Sequence, residues 1–206
     1  MNTQVLVIDP AAGLAREARA PREEGLPGDF AIWIFILAEM LAFGVLFVAY
    51  AFTRAGDVEL FNASQETLNR TAGAINTLVL ITSSYFVMRA VTAIKHGLSK
   101  DCAWWLGAAL MLGGVFVGIK AMEFHDKFAA GITLSTNSFY MFYLALTFFH
   151  FMHVLMGMII LAFVIAKAWR GGYSRQDHVG VETGASFWHM VDLLWIILFP
   201  LVYVIR

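Results

Sequence analysis

From Phe128 to Ala166 the chain contains no Asp, Glu, Lys or Arg, and the run is too long to be one membrane crossing at about 1.5 Å of rise per residue. No soluble core needs so long an uncharged stretch. Such a segment must either be enclosed by protein on every side or meet hydrocarbon. The rest of the sequence favours hydrocarbon, with 60% hydrophobic residues, 14% charged ones and a mean hydropathy of +0.71.

With about 20 apolar residues as the length that crosses a bilayer, five spans are expected. They run from Phe30 to Thr53, Thr71 to Ile94, Ala103 to Met122, from near Phe139 onward, and from Ser186 to Ile205. Arg89 falls near the end of the second and can snorkel. The fourth starts where Ser135, Thr136, Asn137 and Ser138 can cap orphan amides, and Gly171 and Gly172 lie just past its end. The expected fold is all-α: a polytopic bundle of five transmembrane helices over residues 29–206, preceded by a mobile cytoplasmic tail over residues 1–28. That tail lacks an apolar run of signal-peptide length. An odd number of spans puts the two ends on opposite sides. Nine Lys and Arg, including Arg16, Arg19 and Arg22, fall on one side against five on the other. The positive-inside rule then places the amino terminus in the cytoplasm and Arg206 outside.

A formal charge of -1 argues against a nucleic-acid partner. Cys102 is the only cysteine, so no intrachain disulfide is possible. No nucleophile elbow, phosphate loop or dinucleotide fingerprint is present. The informative residues are therefore polar groups placed in apolar helices, where an ionisable side chain costs about 2.5 to 3.5 kcal/mol unless it finds a partner.

Glu39 lies about 15 Å into the first span. Two readings stand for it, a protonated carboxyl hydrogen-bonded to a neighbouring helix and a proton-relay site. His150 and His153 share a face of the fourth helix, and His189 and Asp192 share one of the fifth. Facing each other, the two pairs suit either a hydrogen-bonded seam that fixes helix register or a four-ligand metal centre, and the seam is preferred. Glu123 and His125, at the end of the third span, are expected to snorkel to the interface. His96, Asp177 and His178 are expected to be solvated in connections. Gly114 and Gly118, with Gly107 and Gly113 nearby, form a small-residue face for close helix packing, and the Trp residues are expected mostly at interfaces.

The run Glu182-x-Gly-Ala-Ser-Phe-Trp188-His189-Met-Val-Asp192-Leu-Leu-Trp195 resembles the last helix of subunit III of haem-copper respiratory oxidases. Pieces around Glu39, at Asn76-Thr77, at Lys120-x-x-Glu123-Phe124 and at His150-x-x-His153 agree with it in order, over about Pro27 to Arg206. Within that superfamily, Leu60 to Gln65, Ala129 to Thr133 and Trp188 to Pro200 look most like the NorE type encoded with bacterial nitric oxide reductases, with aerobic subunit III as the runner-up. The resemblance implies a non-catalytic subunit of the bacterial inner membrane, docked on a large haem-bearing catalytic subunit and in contact with membrane lipid. It implies no haem, copper or iron ligands in this chain, those groups belonging to the partner, and it admits a bound phospholipid. It also implies that Glu39 is a buried acid linked with proton-related behaviour and that Asn76, Thr77, Glu123, Glu182, Trp188 and Trp195 are shared motif residues. Two departures bear on it. The family's longest members have two further helices ahead of these five, so their lipid-filled cleft is not assumed here, and Lys120 stands where oxidase members commonly have Gln. An independent proton or ion conductor is the alternative outside the family.

Overall fold

The computed structural model describes residues 28–205, and every regular element in it is helical. The expected cytoplasmic tail, apart from Gly28, lies outside the described residues. Five helices are long and apolar enough to cross a membrane: α1 (Phe30–Gly56), α3 (Arg70–Lys95), α4 (Ser99–Ala129), α5 (Ser138–Trp169) and α6 (Val179–Phe199), which continues as a π-helical turn, Pro200–Val204. Between α1 and α3 sits a short helix, α2 (Val58–Glu66).

The caps follow from local chemistry. Asn137 accepts the Tyr140 amide at 2.8 Å at the start of α5, as its position in the polar stretch predicts. Asn69 caps α3 through the Ala72 amide and Asp57 caps α2 through the Leu60 amide. At the end of α5 the chain turns over at Gly171, whose φ of +70° suits a residue without a side chain, while the Gly172 amide bonds the Lys167 carbonyl. Two spans are longer than expected. α4 continues to Ala129, which puts Lys120 about 13 Å from the helix end, and α6 begins at Val179, so that Glu182 lies within its first turn.

Helix α3 packs most extensively on α4, α4 on α5, and α6 runs against α5, α3 and α1. Helix α6 is thus the inner element and α1 the outer one, with 56% against 11% of their most apolar stretches buried. Trp188 explains how α6 gets so close. Its indole is 1% exposed and fills a slot between Gly113 of α4 and Gly157 of α5, where an added Cβ would stand 2.8 and 2.9 Å from the ring. Close approach therefore rests on Gly113 and Gly157, which corrects the expectation for Gly114 and Gly118. Position 114 meets only the end of Met158 at 4.0 Å and position 118 faces open space. The reason is angular, because Gly113 lies about 100° around the helix from Gly114 and only that direction faces α6.

Candidate functional site

The buried polar residues gather at separate levels of the bundle rather than along one seam. Nearest the end that carries the π-helical turn, Lys120 and Glu123 are 0% and 8% exposed and bonded at 3.1 Å. The Tyr143 and Tyr203 hydroxyls each donate to Glu123 Oε1 at 2.7 Å, and Lys120 Nζ donates to the Tyr203 hydroxyl. The ammonium also lies 5.1 to 5.5 Å from the centroids of Tyr203, Trp195, Phe124 and Tyr143. Glu123 does not snorkel. It closes a buried cluster drawn from α4, α5 and the π-turn, because α4 runs on past it and denies it an interface, whereas His125 is exposed as expected. Above this cluster α2 forms a lid. Phe61 packs edge-on to Tyr50 and Phe139, Gln65 donates to the Val202 carbonyl at 2.9 Å, and Arg54 bonds Asn62 and the Ile205 carbonyl.

At mid-depth, Glu39 of α1 meets His153 of α5, with Oε2 and Nε2 3.1 Å apart, and the other ring nitrogen of His153 bonds the Phe149 carbonyl. The Glu39 side chain is 19% exposed, so one edge of this pair opens to the outside. His150 is not part of it. The ring of His150 is wholly buried between Phe116 and Trp195, at 5.7 and 5.2 Å, and neither nitrogen has a hydrogen-bond partner among the described residues. On the other side of α6, the Ser84 hydroxyl of α3 lies 2.5 Å from His189 Nδ1, with the buried Asp192 side chain beside it. The two expected pairs therefore do not face one another. His153 turns to α1, His189 and Asp192 turn to α3, and His150 stays among rings. Among the described residues neither the shared seam nor a four-ligand arrangement forms, because His150 and His153 are drawn to different neighbours and His189 with Asp192 turns away from both.

The motif residues Asn76 and Thr77 divide in the same way. Thr77 Oγ1 accepts from the Trp195 indole at 3.0 Å, tying α3 to α6, while Asn76 is fully buried with no polar partner among the described residues. Trp188 and Trp195 are core rather than interface residues, whereas Trp104 and Trp169 are exposed and pair edge-on at one end of the bundle, as expected of anchors. Arg89 lies over the Trp105 ring at 5.2 Å.

At the opposite end Glu182 gathers three groups. Lys95 reaches it at 2.9 Å, His178 at 3.5 Å, and the Gly28 amide donates to it at 3.2 Å. His178 is thus paired rather than simply solvated. Beside this clasp, Asp29, Thr183 and Tyr173 line a groove of about 860 Å³ together with Lys167, Arg170, Ile160 and Phe163.

Sequence reasoning missed Ser84, Tyr143 and Tyr203. The available signal was indirect: Lys120 and Glu123 share a face one turn apart and, once buried, need hydroxyl partners from other helices.

A sequence model described as cytochrome c oxidase subunit III matches residues 20–205. Cytochrome c oxidase subunit 3 of Thermostichus vulcanus is 35% identical over 173 residues, 84% of this chain and 84% of that protein. The protein of the same name from Synechocystis is 32% identical, with 85% and 75% covered. Cytochrome bo(3) ubiquinol oxidase subunit 3 of Pseudomonas aeruginosa is 26% identical, with 84% and 83% covered. The agreement takes in all five spans, and the chain belongs to the cytochrome c oxidase subunit III family.

Proposed function

We propose that this chain is a non-catalytic subunit of a bacterial respiratory haem-copper complex, seated in the plasma membrane with its amino terminus in the cytoplasm. It docks on the large haem-bearing subunit and supports that subunit's assembly, stability or proton handling. The observation that carries the reading is the family match across residues 20–205, with relatives whose names are those of oxidase subunits. The geometry agrees with a supporting role. His150, the most enclosed imidazole, is packed as a core residue between two rings rather than presented to a cofactor.

Within this reading the partner reduces O2 or NO. The names of the relatives favour an aerobic cytochrome c or quinol oxidase, while Leu60 to Gln65 and Ala129 to Thr133 resemble the nitric-oxide-reductase type. The Lys167 and Arg170 groove suits an anionic phospholipid head, with an acyl chain along Ile160 and Phe163.

The test is mild-detergent purification of the tagged chain from native membranes, followed by the haem spectrum and turnover of what comes with it. A haem-bearing large subunit is expected, and consumption of O2 or NO then assigns the partner. A chain that purifies without any haem protein refutes the proposal.

A further inference from the structure

Ser84 and His189 lie at an open face of the bundle, with the buried Asp192 carboxyl beside them. His189 is exposed, although it sits about 15 Å into α6, and Ser84 is about 21 Å into α3, so both are near the middle of their spans. Among the described residues the ring is bonded through Nδ1 alone, to Ser84, and Asp192 Oδ1 has no partner. Whichever tautomer His189 adopts, its Nε2 remains as a donor or an acceptor. At this depth lipid offers nothing to bond it, and a polar group left unpaired in hydrocarbon is costly.

The surroundings have the form of a seat. Ser186, His189, Leu193 and Ile196 follow one another at helical spacing along α6, and Ile81, Ser84 and Met88 do so along α3. Between α6 and the loosely packed α1 runs a groove of about 370 Å³, lined by Trp33, Ile36, Met40, His189 and Leu193. An apolar face with a polar group at its centre fits a neighbouring transmembrane helix whose own polar side chain answers His189.

We propose that the face formed by α3 and α6, centred on Ser84, His189 and Asp192, is where this chain docks a transmembrane helix of the catalytic subunit, which supplies the missing hydrogen bond to His189. The proposal rests on the functional reading above.

To test it, p-benzoylphenylalanine is placed at Leu193, 43% exposed, in the tagged chain expressed with its native complex, and native membranes are irradiated. Matched probes go at Met111 of α4 and Phe163 of α5, each 74% exposed and away from the groove. Adducts with the haem-bearing large subunit are expected from Leu193 and not from the two controls. If the Leu193 variant does not accumulate, a probe at Ile81 reads the same face through α3. His189→Leu is expected to lower the haem recovered with the chain by about threefold to thirtyfold, the range for losing one hydrogen bond in a membrane. Adducts of the chain with itself, absence of any protein adduct at Leu193 and Ile81, or equal capture from the controls overturns the proposal. The wild-type chain separates the two claims: if it brings down haem protein while Leu193 captures none of it, the docking face is wrong and the functional reading stands.

Discussion

Lys120 with Glu123 and Glu39 with His153 are both acid and base pairs set in apolar helices, but they are completed differently. The first is enclosed. Two tyrosine hydroxyls and four aromatic rings surround it, and every partner comes from this chain. The second has a single contact between two side chains and an edge open beside α1, the least buried helix. A pair enclosed on all sides has nothing left to offer another molecule, so it serves the bundle. A pair with an open edge can still exchange a proton or a partner. The difference separates groups that hold the fold from groups available to the complex.

The largest effect is expected at the enclosed pair. Lys120→Met leaves Glu123 buried without its cation and should destabilise the detergent-solubilised protein by about 3 to 5 kcal/mol in thermal unfolding. Adding Glu123→Leu should recover much of that, whereas Lys120→Gln, which keeps a donor, should cost less than Lys120→Met. If Lys120→Met unfolds like the parent, the pair does not hold the bundle. Next comes the Trp188 slot, where Gly157→Ala forces a methyl group against the indole and should cost about 1 to 3 kcal/mol by the same measurement. Asp192→Leu should follow at about 0.6 to 2 kcal/mol, and an unchanged melting temperature would mean that the carboxyl makes no hydrogen bond across helices.

Glu39→Gln should cost only about 0.6 kcal/mol, since an amide has nearly the shape of a carboxyl and can still lie against His153. The complex should assemble normally, with any change confined to turnover or to its durability during turnover. Failure to assemble would place Glu39 with the enclosed groups. Smallest of all, Gly118→Ala should stay within about 0.5 kcal/mol, because an added methyl there meets nothing among the described residues.

The spans were legible because hydrocarbon imposes a length and a composition that five stretches of this sequence meet independently. The Asn137 cap and the turn at Gly171 were legible because their chemistry is local. The short helix α2 was not anticipated, although Asp57 stands ready to cap it, since nine residues carry too little periodicity to stand out from a connection. Partner choice was the least legible property. Spacing correctly gives His150 and His153 a shared side of α5, but a shared side spans a wide arc. Helix α1 takes one end of that arc, and Phe116 with Trp195 takes the other. The same geometry misdirected the expectation for Gly114 by a single residue. Sequence spacing gives angles on one helix, while the direction of each neighbour is decided by the bundle as a whole.

Because Lys120 and Glu123 belong to one helix and stand a single turn apart, their attraction does not wait for the bundle to assemble. As α4 leaves the insertion machinery the charges of Lys120 and Glu123 can already cancel, so a stretch that reads as costly residue by residue enters the bilayer nearly neutral. Tyr143 and Tyr203 arrive later, with segments made afterwards, and turn a provisional truce within α4 into a lock that only the finished chain can close.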